Sequence, residues 1–218
     1  MKLKIKKLIP AIFITLLLNA CVLNSGVVSL NISKPESGTE YNGKEIFIKS
    51  VTDNRVFKEK PTSPNIPSLG FGGSKQASEA LKKRAIARKR NTYGKAMGDI
   101  ILKEDQTVQL VIKDSLARSF TELGYKVIDK ETQITKNTII AEASIDKFWS
   151  WMSPGFWTLG LTSEIEVKIM LKNGNETRKV FVTYEERFMT AAGKNWLKVI
   201  NKNLDNFNDE TKKAIHSK

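Results

Sequence analysis

Alternation of apolar and polar residues marks four long stretches of the chain as β-strands with one buried face. Residues 44–52, 137–149, 163–171 and 178–189 place apolar side chains at every second position, which is the period of a strand. Asn173-Gly174, between the last two stretches, is typical of a tight hairpin turn. A shorter strand is predicted over 125–129, and residues 27–32 are a candidate edge strand in an otherwise polar segment.

Two other stretches have the 3.6-residue period of amphipathic helices. Residues 104–123 carry one apolar stripe, with Asp105 as a candidate N-cap and Gly124 suited to the left-handed position after the helix end. Residues 194–215 carry a second apolar stripe that includes Trp196 and Phe207. Together these elements predict an α+β fold, with an antiparallel-rich sheet of about five strands and two main helices packed on one face.

The first long strand ends at Asp53-Asn54-Arg55. An aspartate and an arginine two residues apart can form a buried charge pair at a strand end. The residue types instead favour a solvated turn, which is our prediction.

Residues 56–103 break the regular pattern and predict an arm, Pro- and Gly-rich at first and basic afterwards. Ser74 is a candidate N-cap for a helix that reaches about Arg90, although its apolar stripe is mostly alanine and can bury little. We expect such a helix to order against an anionic surface. Its candidate contacts are Lys82, Lys83, Arg84, Arg88, Lys89 and Arg90. The alternative is a solvated basic face without a ligand.

Aromatic residues concentrate around one turn between two long strands. Trp149, Trp151, Phe156 and Trp157 flank Pro154-Gly155, so we expect the rings at one end of a strand pair. Each large ring removes about 150–250 Å² from water when it is covered, so something is expected to cover them. The candidates are the domain's own core or the arm, a protein partner, the membrane interface, or a glycan that stacks on the rings.

The N-terminal residues have the features of an export signal. Four lysines precede an apolar run that is too short to span a bilayer, and the run ends at Leu18-Asn19-Ala20-Cys21. This ending resembles a bacterial lipoprotein signal, which implies cleavage before Cys21 and lipidation of that residue. The alternative is a plain secretory signal followed by a free thiol. The resemblance and Val22 together favour a lipid anchor on the periplasmic face of the outer membrane.

The predicted organisation is therefore a cleaved signal at 1–20, a lipidated cysteine and tether at 21–43, and a single α+β domain at 44–218. The formal charge falls from +13 to +9 without the four lysines of the signal. A basic protein in the envelope meets anionic lipids, lipopolysaccharide or peptidoglycan, and export argues against a nucleic-acid partner.

The sequence contains little catalytic chemistry. Its one histidine, His216, is close to the end of the chain, and its one cysteine is the predicted lipidation site. We therefore predict no catalytic residue, no metal site, no cofactor and no enzymatic activity.

The chain resembles the YajG-like lipoproteins of Gram-negative bacteria. The resemblance lies in the Cys21 signal, the strand that ends in Asp53-Asn54-Arg55, the helix that leads into Gly124-Tyr125-Lys126-Val127, and the closing helix. It implies an outer-membrane-anchored α+β domain without known catalytic residues. The leading hypothesis is a non-enzymatic accessory or adaptor lipoprotein that docks an envelope protein complex. The alternative is a binding module for an anionic envelope polymer or lipid.

Overall fold

The structure is a computed structural model, and it describes residues 26–32, 35, 39–70, 72–91, 93–172 and 175–216. The signal, Cys21 and the Asn173-Gly174 turn lie outside the described residues. In chain order the elements are β1 (Gly26–Val28), β2 (Glu45–Asp53), α1 (Glu79–Arg84), β3 (Ala85–Arg90), β4 (Ala96–Leu102), α2 (Val108–Glu122), β5 (Lys126–Ile128), β6 (Ile139–Pro154), β7 (Leu159–Leu171), β8 (Glu176–Phe188) and α3 (Gly193–His216).

The strands of the described chain form one mixed sheet organised on the long strand β6. On one edge of β6, β7 pairs antiparallel from Ala141 to Pro154, and β8 pairs antiparallel with β7. The other edge is shared, because β2 pairs parallel with the first half of β6 and β3 pairs parallel with it at Ser150. β5 extends the β2 branch, while β4 and β1 extend the β3 branch. The sheet therefore forks along one edge of β6.

The α+β class is confirmed, but the predicted sheet of about five antiparallel-rich strands is too small. The described sheet has eight strands, and four of its pairings are parallel. The strands that the alternation pattern did not predict are β3 and β4. Both lie in the segment that we interpreted as an arm.

The predicted helix over 74–90 is wrong at both ends. The Ser74 hydroxyl donates to the Lys58 carbonyl, and the helix N-cap is Ser78, whose hydroxyl accepts the Leu81 N–H. The helix ends at Arg84, and residues 85–90 become β3. Pairing with β4 and β6 supplies backbone hydrogen bonds and burial that the weak alanine stripe of a helix could not.

The two long helices cover one face of the sheet and enclose the main core, as predicted. Phe120 of α2, Phe148 of β6, and Trp196 and Phe207 of α3 are fully buried there. The N-cap of α2 is Thr107 rather than Asp105, because the Thr107 hydroxyl accepts the Leu110 N–H. Gly124 has a φ of 81°, which confirms the left-handed position after the helix.

The Pro- and Gly-rich part of the arm covers the opposite face of the sheet. Leu69, Ala85 and Trp149 form a second, smaller core there, with Phe57 packed against it. The Trp149 ring meets Phe57 edge to face at 5.9 Å, and its Nε1 donates to the Pro64 carbonyl at 3.1 Å. The sheet is therefore covered on both faces around its fork.

Arg55 fills the fork of the sheet, so the prediction of a solvated turn is wrong. Its side chain is fully buried and forms a bidentate pair with Asp53, with both hydrogen bonds at 2.8 Å. The same guanidinium donates to three carbonyl oxygens, those of Lys82, Ala85 and Phe148. One arginine thus joins the end of β2 to α1, β3 and β6.

Candidate functional site

The turn between β6 and β7 presents two aromatic rings to solvent. Phe156 is 90% exposed and Trp157 is 78% exposed, and the two rings meet edge to face with their centroids 4.8 Å apart. Gly155 allows the tight turn, because a Cβ there would lie 2.4 Å from the Thr158 carbonyl oxygen. Met189, directly after β8, is a third large exposed apolar side chain at this end of the sheet. We call Phe156, Trp157 and Met189 the aromatic tip.

The other two aromatic candidates do not belong to this surface. Trp149 is fully buried in the second core, so its assignment as a partner-binding residue is corrected. Trp151 is half-buried, packs against the second core, and lies 5.6 Å from the Lys147 ammonium. The strand period places Trp149 and Trp151 on the same face of β6, where the second core covers them, whereas Phe156 and Trp157 lie beyond the end of β6. Of the four candidates, Phe156 and Trp157 remain as an exposed pair.

The basic run does not form one continuous surface. Lys82, Lys83 and Arg84 lie on α1, where Lys82 pairs with Glu79 and Arg84 donates to the Leu102 carbonyl. Arg88 is 8% exposed, and Asp99 of β4 faces it with the nearest atoms 3.9 Å apart, which corrects its assignment to an anion-binding surface. The six candidates are split because β3 replaces the predicted helix.

A different set of cations lines a cleft between the arm and the β3–β4 turn. The cleft has a volume of about 540 Å³, and its charged residues are Lys60, Arg88, Arg90 and Lys95. Tyr93, in the turn, lines the same cleft and is 93% exposed. We call these five residues the basic cleft. Arg88 and Arg90 were among the six predicted contacts, whereas Lys60 and Lys95 join them through the folding of the arm and the β3–β4 turn.

The two arginines of the basic cleft are held by uncharged oxygens. Arg90 donates to the carbonyls of Gly94 and Pro61, and both Arg88 and Arg90 donate to the Ser68 hydroxyl. Burial lowers the pKa of Arg90, and the nearby Arg88 lowers it further. Burial raises the pKa of Asp99, although the Gly70 N–H and Arg88 oppose that shift. The cleft therefore holds positive charges close together at a position that is partly shielded from water.

The aromatic tip and the basic cleft lie at the same end of the sheet. β3 runs parallel to β6, so the β3–β4 turn and the β6–β7 turn share one end. β1 runs parallel to β4, away from this end, and Gly26 is level with Ile100 of β4. Gly26 is therefore the residue of β1 nearest to the aromatic tip, level with a position four residues beyond Ala96 at the start of β4.

A buried polar network lies at the other end of the helical layer. Glu122 of α2 accepts hydrogen bonds from Arg118, Asn208 and Lys212. Burial acts to raise the pKa of Glu122, but these three donors outweigh it and lower the pKa to about 2. These hydrogen bonds join α2 to α3, so we assign the network a structural role.

The part of the chain that the structure describes contains neither a cluster of metal-ligating side chains nor a helix that could span a membrane. No three His, Cys, Asp or Glu side chains are grouped as a metal site requires. In the same residues, every helix is too short or too polar to cross a membrane.

Comparison with known proteins yields similar structures only. No family model matches the chain, and no curated protein matches it. Protein XCC0632 from Xanthomonas campestris, of the family DUF330, is 11% identical over 87% of this chain and 92% of its own, with a TM-score of 0.48. The hypothetical protein CT253 from Chlamydia trachomatis is 7% identical over 80% of this chain and 99% of its own, with a TM-score of 0.41.

Lipoprotein GNA1162 from Neisseria meningitidis is also similar, at 7% identity over 76% of this chain and 99% of its own, with a TM-score of 0.33. At these identities and TM-scores the similarities carry no conclusion about family or function. The resemblance to YajG-like lipoproteins therefore stays a prediction.

Proposed function

We propose that this protein is a non-enzymatic lipoprotein, anchored through Cys21 to the periplasmic face of the outer membrane, whose aromatic tip rests on that same membrane. The observation that carries the proposal is the common end of the sheet. The aromatic tip and the basic cleft lie there, and β1, the first described strand, runs away from that end.

The distance from the anchor to the domain is short. β1 begins at Gly26, inside the segment that we predicted as a tether over 21–43, so residues 22–25 remain between Cys21 and the sheet. Five residue steps span at most about 18 Å, so a lipid on Cys21 holds Gly26 close to the headgroup layer. Gly26 is level with Ser150 of β6, four residues before Pro154, or about 13 Å along the strand. An anchor of this length therefore brings the aromatic tip within reach of the bilayer.

The side chains at this end have the chemistry of a membrane interface. Trp157 and Tyr93 each combine an apolar ring with a polar atom, which suits the headgroup region. Lys60 and Lys95 lie beside Tyr93 and would attract anionic headgroups at about 1 kcal/mol per cation before screening. This combination favours a lipid surface as the partner. The exposed Phe156 ring would contribute little to the binding of a lipopolysaccharide or peptidoglycan strand.

The second candidate is the adaptor function, in which an envelope protein binds the aromatic tip. The exposed edge-to-face pair of Phe156 and Trp157 favours it, because Trp and other aromatic side chains anchor protein interfaces. In both candidates Phe156 and Trp157 become covered. The candidates differ in what covers them.

Fluorescence quenching separates the two. The mature lipidated protein is reconstituted into vesicles of phosphatidylethanolamine and phosphatidylglycerol that carry brominated acyl chains. We expect a quenched component of tryptophan fluorescence that disappears in Trp157→Phe. The matched control is Trp151→Phe, which removes a half-buried indole from the same strand pair and should keep that component.

Absence of quenching in the wild type, or equal losses in both variants, would contradict the membrane proposal. Photo-crosslinking from position 157 in intact cells then provides the complementary readout. Adducts to lipid support the membrane proposal, whereas one discrete protein adduct supports the adaptor.

A further inference from the structure

We infer that the basic cleft binds the phosphate of an anionic phospholipid headgroup. The inference rests on the proposed function in one respect, namely that this end of the domain faces a membrane. It goes further by naming a ligand class and a site separate from the aromatic tip.

The first argument is an excess of positive charge. Arg88 is offset by Asp99, but Lys60, Arg90 and Lys95 form no ion pair with any carboxylate that the structure describes. Glu59, the acid next to Lys60, instead accepts the Lys75 N–H. Elsewhere on the sheet, lysines form ion pairs with carboxylates on neighbouring strands. Lys168 pairs with Asp146, and Lys179 pairs with Glu166. The cleft thus has three cations without a described carboxylate partner, whereas Lys168 and Lys179 each have one.

The second argument is that hydrogen bonds and backbone geometry fix the side chains of the cleft in place. The arm and the turn hold both guanidinium groups through the Ser68 hydroxyl and the carbonyls of Pro61, Gly70 and Gly94. Lys60 has a φ of 39°, a left-handed conformation that is costly for a residue with a side chain. Arg90, fixed at a partly buried position with the exposed Lys60 and Lys95 in the same cleft, is suited to the oxygens of one phosphate.

The third argument concerns the source of the phosphate. The β3–β4 turn, which carries Tyr93 and Lys95, lies about 13 Å along the sheet from the level of Gly26, and Cys21 is at most about 18 Å from Gly26. A phospholipid headgroup is the phosphate that this position meets at high local concentration. A free phosphate lacks the acyl chains that would place it next to the exposed Tyr93 ring.

The test is a titration of the mature lipidated protein in neutral detergent micelles, followed by NMR of the arginine Nε–Hε signals. The probes are dihexanoyl phosphatidylglycerol and inorganic phosphate. We expect a saturable shift of Arg90 with the lipid, and weaker binding of inorganic phosphate. Lys95→Gln should reduce the affinity for the lipid about fivefold, which is about 1 kcal/mol for one cation.

Lys83→Gln is the matched control, because Lys83 is an exposed cation on α1 outside the cleft. It should change the affinity less than about twofold. Lys95→Gln is preferred over Arg90→Gln because no described hydrogen bond involves the Lys95 ammonium, whereas Arg90 holds the arm. The absence of a saturable shift, or equal losses in Lys95→Gln and Lys83→Gln, would overturn the inference. Equally tight binding of inorganic phosphate would overturn the lipid source.

The two proposals fail separately. If Trp157 is quenched by brominated lipid but the arginine signals do not shift, the basic cleft has no headgroup and the aromatic tip still meets the membrane. If the arginine signals shift but Trp157 is unquenched, the cleft binds its ligand without contact between the tip and the bilayer.

Discussion

Replacement of Arg55 by methionine should destabilise the domain strongly, because Arg55 satisfies partners on four elements of the sheet and helical layers. The side chain is fully buried, and its loss leaves the Asp53 carboxylate without its bidentate partner. Three carbonyl oxygens, on Lys82, Ala85 and Phe148, lose a donor at the same time. Removal of one partner of a buried charge pair costs about 3–5 kcal/mol, so we expect a loss of that size in the free energy of unfolding.

Urea unfolding of the wild type and of Arg55→Met measures this loss. The matched control is Lys213→Met, which removes an exposed ion pair with Glu210 and should change the free energy by less than about 0.5 kcal/mol. The double variant Asp53→Asn with Arg55→Met should recover part of the stability, because no unpaired carboxylate then remains at the fork. A loss below about 1 kcal/mol in Arg55→Met would refute the assignment of Arg55 as the clamp of the fork.

Hydrogen exchange gives a local readout of the same clamp. β3 pairs with β6 through Ala87 and Ser150. The hydrogen bonds of Arg55 provide a further attachment of the β3 branch to the rest of the sheet. In Arg55→Met the amides of β3 and β4 should exchange faster, relative to those of β7 and β8, than in the wild type. Uniform acceleration over the whole sheet would indicate global destabilisation without a specific role at the fork.

Three further perturbations have expected outcomes. The donors that lower the pKa of Glu122 to about 2 stabilise the folded state fully above its ordinary value of 4.5, and this contribution is lost as the pH falls from 4.5 toward 2. Unfolding midpoints of Glu122→Gln should therefore depend less on pH than those of the wild type in this range. Trp149→Ala should cost about 3–5 kcal/mol in urea unfolding, whereas Trp157→Ala should cost less than about 0.5 kcal/mol. Gly124→Ala should lower the thermal midpoint, because φ is 81° and the new Cβ would lie 2.5 Å from the Glu40 carbonyl oxygen.

The sequence showed many of the residue types of the candidate site, but it did not show which of these residues share a surface. The aromatic cluster was found, since three tryptophans within nine residues are conspicuous, yet the sequence did not say which rings stay exposed. The β6–β7 register separates them, burying Trp149 and leaving Trp157 at the turn. Lys60 carried no signal of its own, because it approaches Arg90 through the path of the arm across the sheet.

The sequence by itself determined the elements whose pattern is local. The long alternating strands, the two amphipathic helices and the glycine after α2 were predicted close to their observed bounds, because each pattern lies within one segment. Only the tertiary structure decided the fates of residues 85–90 and of Arg55. A short stretch with alanines and three cations is buried as a strand only because β4, β6 and Asp99 receive it. Arg55 is buried because carbonyls from residues 82, 85 and 148 meet around it. These partners are distant along the chain from the residues that they contact. A local pattern of apolar and polar residues therefore does not predict the contacts.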